Sequence, residues 1–145
     1  MFKVIIAGGR DFEDQSVCDK VCDVALRRYL PQEIEVVCGK AKGADTRGEV
    51  WAKSRGIKVK EMPADWHNLD AVPCKIKDKG YGPYNSLAGT TRNHEMGDYA
   101  DALLAFWDEG SKGTKDMIDY AIKLGLKVLV FDYEGEEILW LQQKR

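Results

Sequence analysis

The chain has 145 residues, the usual size of one compact domain, and we expect a single domain over residues 1–145. Its 24 acidic and 22 basic residues give a formal net charge of -2, which provides no global reason to expect nucleic-acid binding. No signal-peptide pattern, no apolar run near the ~20 residues that span a bilayer and no disulfide-scaffold cysteine density is visible. We therefore predict a cytoplasmic protein with reduced cysteines and no membrane partner.

The first half of the chain alternates short apolar runs with helical patterns. The predicted strands are Lys3 to Ala7, Ile34 to Cys38 and the charged, edge-like Ile57 to Met62. The predicted helices are Ser16 to Leu30, with Ser16 and Asp19 at its start and Pro31 at its end, and Ala44 to Ser54, followed by Gly56. Cys18 and Cys22 lie one helical turn apart with no second ligand pair, so they are interpreted as buried apolar residues.

In the second half, prolines and glycines interrupt the pattern from Pro63 to Leu87, which predicts an irregular insert near residues 63–88. The predicted helices that follow are Gly89 to Tyr99 and Thr114 to Leu124, and the predicted strands are Ala102 to Trp107 and Leu126 to Phe131. Ile138 to Leu141 is apolar and is either an extra edge strand or a short packing tail.

This order of elements predicts the α/β class, as a Rossmann-like three-layer fold. Its mainly parallel five-stranded sheet would have the order 3-2-1-4-5, with helices on both faces. The switch point then lies between the first and fourth strands, where ligands bind open sheets of this kind.

Three glycine-rich turns follow predicted strands and lead towards helices: Gly8 to Phe12, Gly39 to Asp45 and Asp108 to Thr114. Glycines allow a backbone to approach a phosphate, and the start of a helix offers free N–H groups and a positive dipole end. Together with the start of the third helix, the turns predict a ligand site. Its predicted residues are Gly8, Gly9, Arg10, Asp11, Gly39, Lys42, Gly43, Ala44, Asp45, Gly89, Arg92, Asn93, Asp108, Gly110, Ser111, Gly113 and Thr114.

Within this site the cations Arg10, Lys42 and Arg92 would face phosphate groups. Asp11 either accepts hydrogen bonds from a ribose hydroxyl or caps the following helix, and Asp45 either caps its helix or orders its loop. Trp66 and Trp107 either stack on a base or pack in the core. The second turn is not a Walker A loop, because the required Gly-Lys-Ser/Thr spacing is missing.

The ordered motifs resemble the YspA-like, cpYpsA-related branch of the SLOG superfamily, which includes the SMF (DprA) and LOG proteins. The motifs are Ala7 to Phe12, Gly39 to Asp45, Pro63 to Trp66, Leu87 to Met96 and Ala105 to Thr114. The resemblance implies a Rossmann-like sheet that binds nucleotides or nucleotide-derived ligands. Lys40 stands where the family's second motif usually has a glycine, and we expect it to add a cation to the pocket.

The LOG enzymes are phosphoribohydrolases whose terminal motif carries a glutamate three residues after its Gly-Thr pair. Met117 occupies that position here, and Asp116, one residue earlier, is displaced by about 100° around a helix. A LOG-like reaction would need another carboxylate, for which Glu95 is the weak catalytic candidate and Asp108 the alternative.

The leading hypothesis is therefore a module that binds an ADP-ribose- or NAD-related molecule or a nucleoside phosphate, as a sensor, carrier or sequestering protein. The alternatives are a LOG-like hydrolase and DprA-like single-stranded DNA binding, against which the net charge argues. Whether the protein is an enzyme stays open. We expect no cofactor and no metal site, and a homodimer formed through helices.

Overall fold

The computed structural model describes residues 1–138, which form seven strands and four α-helices. The strands are β1 (Phe2–Gly8), β2 (Ile34–Cys38), β3 (Lys58–Glu61), β4 (Ile76–Asp78), β5 (Pro83–Asn85), β6 (Ala102–Phe106) and β7 (Lys127–Phe131). The helices are α1 (Gln15–Ala25), α2 (Ala44–Ser54), α3 (Ala88–Tyr99) and α4 (Lys112–Lys123), and a 3₁₀ turn covers Pro31–Glu33.

Five strands form one parallel sheet in the order β3-β2-β1-β6-β7. The predicted order 3-2-1-4-5 is therefore confirmed, since β4 and β5 pair only with each other. In this order β1 and β6 are neighbours, although ninety-odd residues separate them in the chain. Their carboxyl ends, Gly8 and Phe106, meet in register and form the predicted switch point.

Helices cover both faces of the sheet, as predicted. On one face, Cys18 and Cys22 of α1 and Trp51 of α2 pack against the buried side chains of β1 and β2. On the other face, Met96 of α3 and Met117 of α4 pack against the remaining strand residues. Both cysteines are fully buried, with their sulfur atoms 3.9 Å apart, in agreement with their interpretation as core residues.

The boundaries predicted for α1 are wrong at both ends. The N-cap is Asp14, whose carboxylate accepts a hydrogen bond from the Val17 N–H at 3.1 Å, so Ser16 and Asp19 do not form the start. The helix ends at Ala25, and the next residue, Leu26, has a non-helical φ of -109° and ψ of 15° and a side chain buried in the core. The residues between Leu26 and Pro31 form the turn that leads back to β2.

The insert that begins at Pro63 is more ordered than its composition predicts, because β4 and β5 pair as an antiparallel hairpin within it. Asn85 is 1% exposed and fixes the base of this hairpin. Its side-chain oxygen accepts hydrogen bonds from the N–H groups of Lys75 and Leu87, and its own N–H donates to the Trp66 carbonyl. These contacts hold the insert against the start of α3.

Past β7 the chain turns back, and the Ile138 N–H donates to the Val130 carbonyl at 2.8 Å. Ile138 packs against the core on the α3–α4 side. The rest of the predicted tail, residues 139–141, lies outside the described residues. Within residues 1–138, no helix has the length and apolar character needed to cross a membrane.

Candidate ligand site at the switch point

A cavity of about 430 Å³ opens at the carboxyl ends of β1 and β6. This volume lies in the range of small-molecule sites. The predicted residues that line it are Gly8, Arg10, Asp11, Asp45, Gly89, Arg92, Asn93, Ser111, Gly113 and Thr114. The starts of α2, α3 and α4 thus converge on one space.

The first two turns lock together behind the cavity. The Gly9 carbonyl accepts a hydrogen bond from the Ala44 N–H at 3.1 Å, at the start of α2. Gly43 caps that helix with a φ of 77°, and its Cα faces the backbone of Gly9 and Arg10. Because Gly43 is the cap, the alternative that Asp45 caps α2 is wrong. Asp45 instead orders the loop, since its carboxylate accepts from the Ala41 N–H at 3.2 Å.

Arg92 is the buried cation of the site, with 8% of its surface exposed. Its Nη1 donates to the Gly39 carbonyl and its Nε donates to the Asn93 side chain at 3.0 Å. A Cβ on Gly39 would lie 2.6 Å from Nη1 and 2.7 Å from the Asp45 carboxylate, so a larger residue here would displace the ends of both side chains. Within residues 1–138, Nη2 of Arg92 makes no hydrogen bond, which leaves it available to an anion.

Burial is the main influence on the pKa values of Arg92 and Asp45. Burial lowers the pKa of Arg92, and the nearby Asp45 carboxylate opposes that shift. Burial likewise raises the pKa of Asp45, against the pull of Arg92. No carboxylate of the described chain comes within 4 Å of the guanidinium. The positive charge of Arg92 is therefore only partly balanced, which favours an anionic ligand.

An exposed cation and an aromatic wall form the other side of the cavity. The Arg10 guanidinium lies 5.9 Å from the centre of the Trp66 ring, and Tyr84 meets that ring edge-on at 6.4 Å. Trp66 packs directly against Gly89. Asp11 accepts a hydrogen bond from the Tyr133 hydroxyl. The alternative that Asp11 caps α1 is wrong, because Asp14 does so.

The third turn is organised by its own side chains. The Asp108 carboxylate accepts hydrogen bonds from the N–H groups of Gly110 and Ser111 at 2.8 and 3.0 Å, which lower its pKa. Ser111 caps α4 by accepting from the Thr114 N–H at 3.3 Å. Within residues 1–138 the Gly113 N–H has no hydrogen-bond partner. It therefore belongs to the free positive end of α4.

Several predicted residues do not line the cavity. They are Gly9, Gly39, Lys42, Gly43, Ala44, Asp108 and Gly110. Most of them shape the turns from behind, whereas Lys42 is exposed to solvent. The expectation that Lys40 adds a cation to the pocket is wrong, because its Nζ pairs with Glu49 at 2.6 Å and Glu61 at 3.2 Å. Trp107 is a core residue, with 5% exposure.

The carboxylate candidates for hydrolysis also lie elsewhere. Glu95 is exposed and lines a separate cavity of about 130 Å³. Met117 lines the main cavity, at the position where the LOG motif has its glutamate. Within the described part of the chain, no group of three or more histidine, cysteine or acidic side chains is placed to hold a metal ion.

Sequence reasoning left several lining residues out of the site. They are Ala7, Ala41, Ser86, Thr90 and Met117. Trp66, for which stacking on a base is one of the two alternatives, also lines the cavity. Ser86 and Thr90 lie on either side of the start of α3, where their hydroxyl groups can donate hydrogen bonds to a ligand. Nothing local in the sequence indicates that they face the same space as Ser111.

Residues 2–69 match the model of a family described as YAcAr, the YspA, cpYpsA-related SLOG family. The X-ray structure of DNA processing protein A (DprA) from Streptococcus pneumoniae matches with a TM-score of 0.65 and 20% sequence identity, over 90% of this chain and 50% of that one. At this identity the likeness shows the fold alone, and the chain spans about half the length of DprA. No curated protein matches the sequence. The resemblance to the YspA, cpYpsA-related SLOG family that the motifs carry is thereby confirmed over residues 2–69.

Proposed function

We propose that the protein binds a nucleotide or nucleotide-derived ligand in the switch-point cavity, as a sensor, carrier or sequestering module. The ligand would be ADP-ribose- or NAD-related or a nucleoside phosphate. The observation that carries the proposal is the convergence of helix starts and arginines on one space. Gly89 of α3 and Gly113 of α4 line the same cavity as Arg10 and Arg92.

A phosphate fits the most positive part of this cavity. The N-terminal N–H groups of α3 and α4 would donate to it, and Nη2 of Arg92 would add a charged donor from the wall. Arg10 is exposed and would reach a second anionic group at the mouth. Two phosphates in one ligand would use both arginines, which favours the ADP-ribose-related class.

Ribose and base would occupy the opposite wall. The Asp11 carboxylate and the Ser86 and Thr90 hydroxyls line the cavity and can exchange hydrogen bonds with ribose hydroxyls. The Trp66 ring is half-buried and offers a planar surface for a base. Stacking of this kind is worth about 1–3 kcal/mol per base in nucleic-acid complexes.

The cavity disfavours hydrolysis by the two carboxylates considered above. Glu95 faces the smaller cavity, and the lowered pKa of Asp108 keeps that group ionised and bonded to its own loop. Such a carboxylate is a poor general acid. We therefore infer that the ligand is retained rather than cleaved.

The first experiment measures thermal stability against ADP-ribose, NAD, AMP, GMP, cyclic nucleotides and ribose 5-phosphate, with product analysis of each sample. A ligand at about 100 times its Kd stabilises by about 2.7 kcal/mol, which corresponds to a midpoint rise of about 5–10 °C. A rise with the ligand recovered intact supports the proposal. Release of base or phosphate supports the hydrolase, and Glu95→Gln then tests whether Glu95 carries it.

Variants locate the binding site. Arg10→Gln should weaken binding at least tenfold without loss of stability, because Arg10 is exposed. Lys42→Gln is the matched control, since Lys42 is exposed and lies outside the cavity lining. Trp66→Leu should weaken the binding of AMP more than the binding of ribose 5-phosphate, which has no base to stack on the ring. Equal binding by all three variants would refute this site, and strongly salt-dependent binding of single-stranded DNA would favour the DprA-like alternative.

A further inference from the structure

Tyr133 reaches the ligand site from the far end of the described chain. It lies two residues after β7 and is half-buried, and its hydroxyl donates a hydrogen bond to Oδ1 of Asp11. Asp11 lines the switch-point cavity, whereas Tyr133 is not among the lining residues. Any effect of Tyr133 on a ligand is therefore exerted through Asp11.

Packing fixes the position of the Tyr133 ring. The ring lies 5.1 Å from the ring of Phe12, which is 1% exposed and stacks on Phe106 at 4.4 Å. The turn that carries Tyr133 is closed by Asp132, whose carboxylate accepts hydrogen bonds from two backbone N–H groups of the turn at 2.9 and 3.0 Å. The hydroxyl is thus held by a rigid support, which precise placement of a ligand-binding group requires.

Gly9 leaves the space in which the two side chains meet. A Cβ at this position would lie 1.8 Å from the Tyr133 hydroxyl oxygen and 2.8 Å from Oδ1 of Asp11, so a larger residue would push the pair apart. Gly9 belongs to the predicted site but does not line the cavity. It therefore contributes to the site by allowing this contact.

The hydrogen bond leaves the second oxygen of Asp11 available to a ligand. Within residues 1–138, Oδ2 accepts no hydrogen bond and Asp11 forms no ion pair. Burial and the hydrogen bond to Asp11 raise the pKa of Tyr133, and the negative charge of Asp108 adds to the shift. The tyrosine hydroxyl therefore remains a donor at neutral pH, and one carboxylate oxygen is left to accept a hydrogen bond from the ligand.

We propose that Tyr133 is a positioning residue that directs the free oxygen of Asp11 to a ribose hydroxyl, so that the site selects nucleotides whose ribose is unmodified. This inference rests on the proposed function. A ribose hydroxyl can donate to the carboxylate, and hydrogen bonds to an ionised acceptor are about twice as strong as neutral ones. A deoxyribose lacks that donor, and a phosphate on the ribose would bring negative charge against Asp11.

The test is isothermal titration calorimetry of the full chain with adenine nucleotides. AMP and ADP-ribose are each compared with analogues that lack the 2′- or the 3′-hydroxyl of the adenosine, and AMP is also compared with adenosine 2′,5′-bisphosphate. The wild type should bind the unmodified nucleotide about tenfold more tightly than one of its deoxy analogues, because the charge-assisted hydrogen bond is lost. It should bind the bisphosphate about tenfold more weakly than AMP, because like charges then meet.

Tyr133→Phe keeps the ring and its contact with Phe12 but removes the donor. The preference for ribose should therefore fall to about threefold, with the affinity for the deoxy analogues unchanged. Asp11→Asn should also lose the preference, and should bind the bisphosphate about threefold more tightly than the wild type does. Tyr120→Phe is the matched control, because this hydroxyl donates to Asp98 at 2.7 Å outside the cavity lining, and every affinity should stay unchanged. Circular dichroism verifies that the variants fold.

Two kinds of failure are distinguishable. Equal affinity of the wild type for ribose and deoxyribose forms would overturn the inference and leave the proposed function standing, and so would a Tyr133→Phe variant that keeps the full preference. Absence of binding by both AMP and ADP-ribose would overturn the inference together with the adenine-nucleotide form of the proposed function.

Discussion

Replacement of Gly43 by alanine tests whether the first two turns are held together by direct backbone contact. A Cβ at this position would lie 2.6 Å from both the carbonyl carbon and the carbonyl oxygen of Arg10, and would also overlap the Gly9 carbonyl oxygen. These are backbone atoms, so the contact is relieved only if one turn moves. The movement would break the hydrogen bond from the Ala44 N–H to the Gly9 carbonyl.

The cost has a conformational part and a contact part. Alanine in the left-handed helical conformation costs about 1–2 kcal/mol, and at Gly43, where ψ is -123°, the cost is at least as large. Steric overlap adds about 1–3 kcal/mol, and the lost hydrogen bond about 0.5–1.5 kcal/mol. Gly43→Ala should therefore lower the free energy of unfolding by about 3–6 kcal/mol.

Gly125→Ala measures the cost of a positive φ without steric contact, because Gly125 has a φ of 78° and no atom within 4 Å of the added Cβ. Gly43 has a similar φ, but its ψ of -123° lies outside the left-handed helical region and raises its own conformational cost. Urea unfolding of both variants measures the difference, which should be at least about 2–4 kcal/mol from the overlap and hydrogen-bond terms. Equal losses in the two variants would refute the view that contact between the turns holds the site.

Two further substitutions test interactions next to the candidate site. Hydrogen bonds from Lys40 and Lys53 lower the pKa of Glu49 from 4.5 to about 2, so its stabilising effect is present above pH 4.5 and is lost as pH falls towards 2. Glu49→Gln should therefore lower the unfolding free energy by about 1–3 kcal/mol at pH 7 and by little at pH 2, and equal losses in urea titrations at both pH values would contradict this. Ser111→Ala removes the N-cap of α4 and the hydrogen-bond partner of the Thr114 hydroxyl, which should lower the free energy of unfolding by about 1 kcal/mol. Ser111→Thr keeps a capping hydroxyl and should retain the wild-type stability. Equal thermal midpoints for the two variants would exclude loss of the cap as the cause.

The sheet and its order were predictable because the information is local. Four of the five strands are short apolar runs that end at a polar or glycine-rich turn, and β3 is recognisable as an edge strand by its alternating apolar and charged residues. Right-handed crossovers restrict how such units assemble. The early end of α1 was not predictable in this way. Leu26 continues the helical periodicity, but its side chain is buried beside β2 only because the chain turns there.

The site was predictable as a set of turns, but its internal contacts were not. Gly39 and Arg92 are 53 positions apart in the chain. Their hydrogen bond exists because the end of β2 and the start of α3 lie at the same edge of the sheet. Asn85 likewise supports Trp66 through contacts that depend on the folded hairpin. Local sequence patterns predict where the loops lie. The direction of each side chain depends on which residues from distant parts of the chain the fold places next to it.

Lys40 shows how a changed motif residue leaves the turn intact. Its φ is 61°, a conformation that suits the glycine found at this point of the SLOG motif and costs another residue about 1–2 kcal/mol. The ion pairs of its side chain with Glu49 and Glu61 offset part of that cost and direct the ammonium away from the ligand cavity. The positive charge on the cavity wall is supplied instead by Arg92, from a helix that follows in the chain. A charge beside a glycine-rich turn thus need not serve the ligand, because the strain of the turn and the nearest carboxylates determine where the side chain lies.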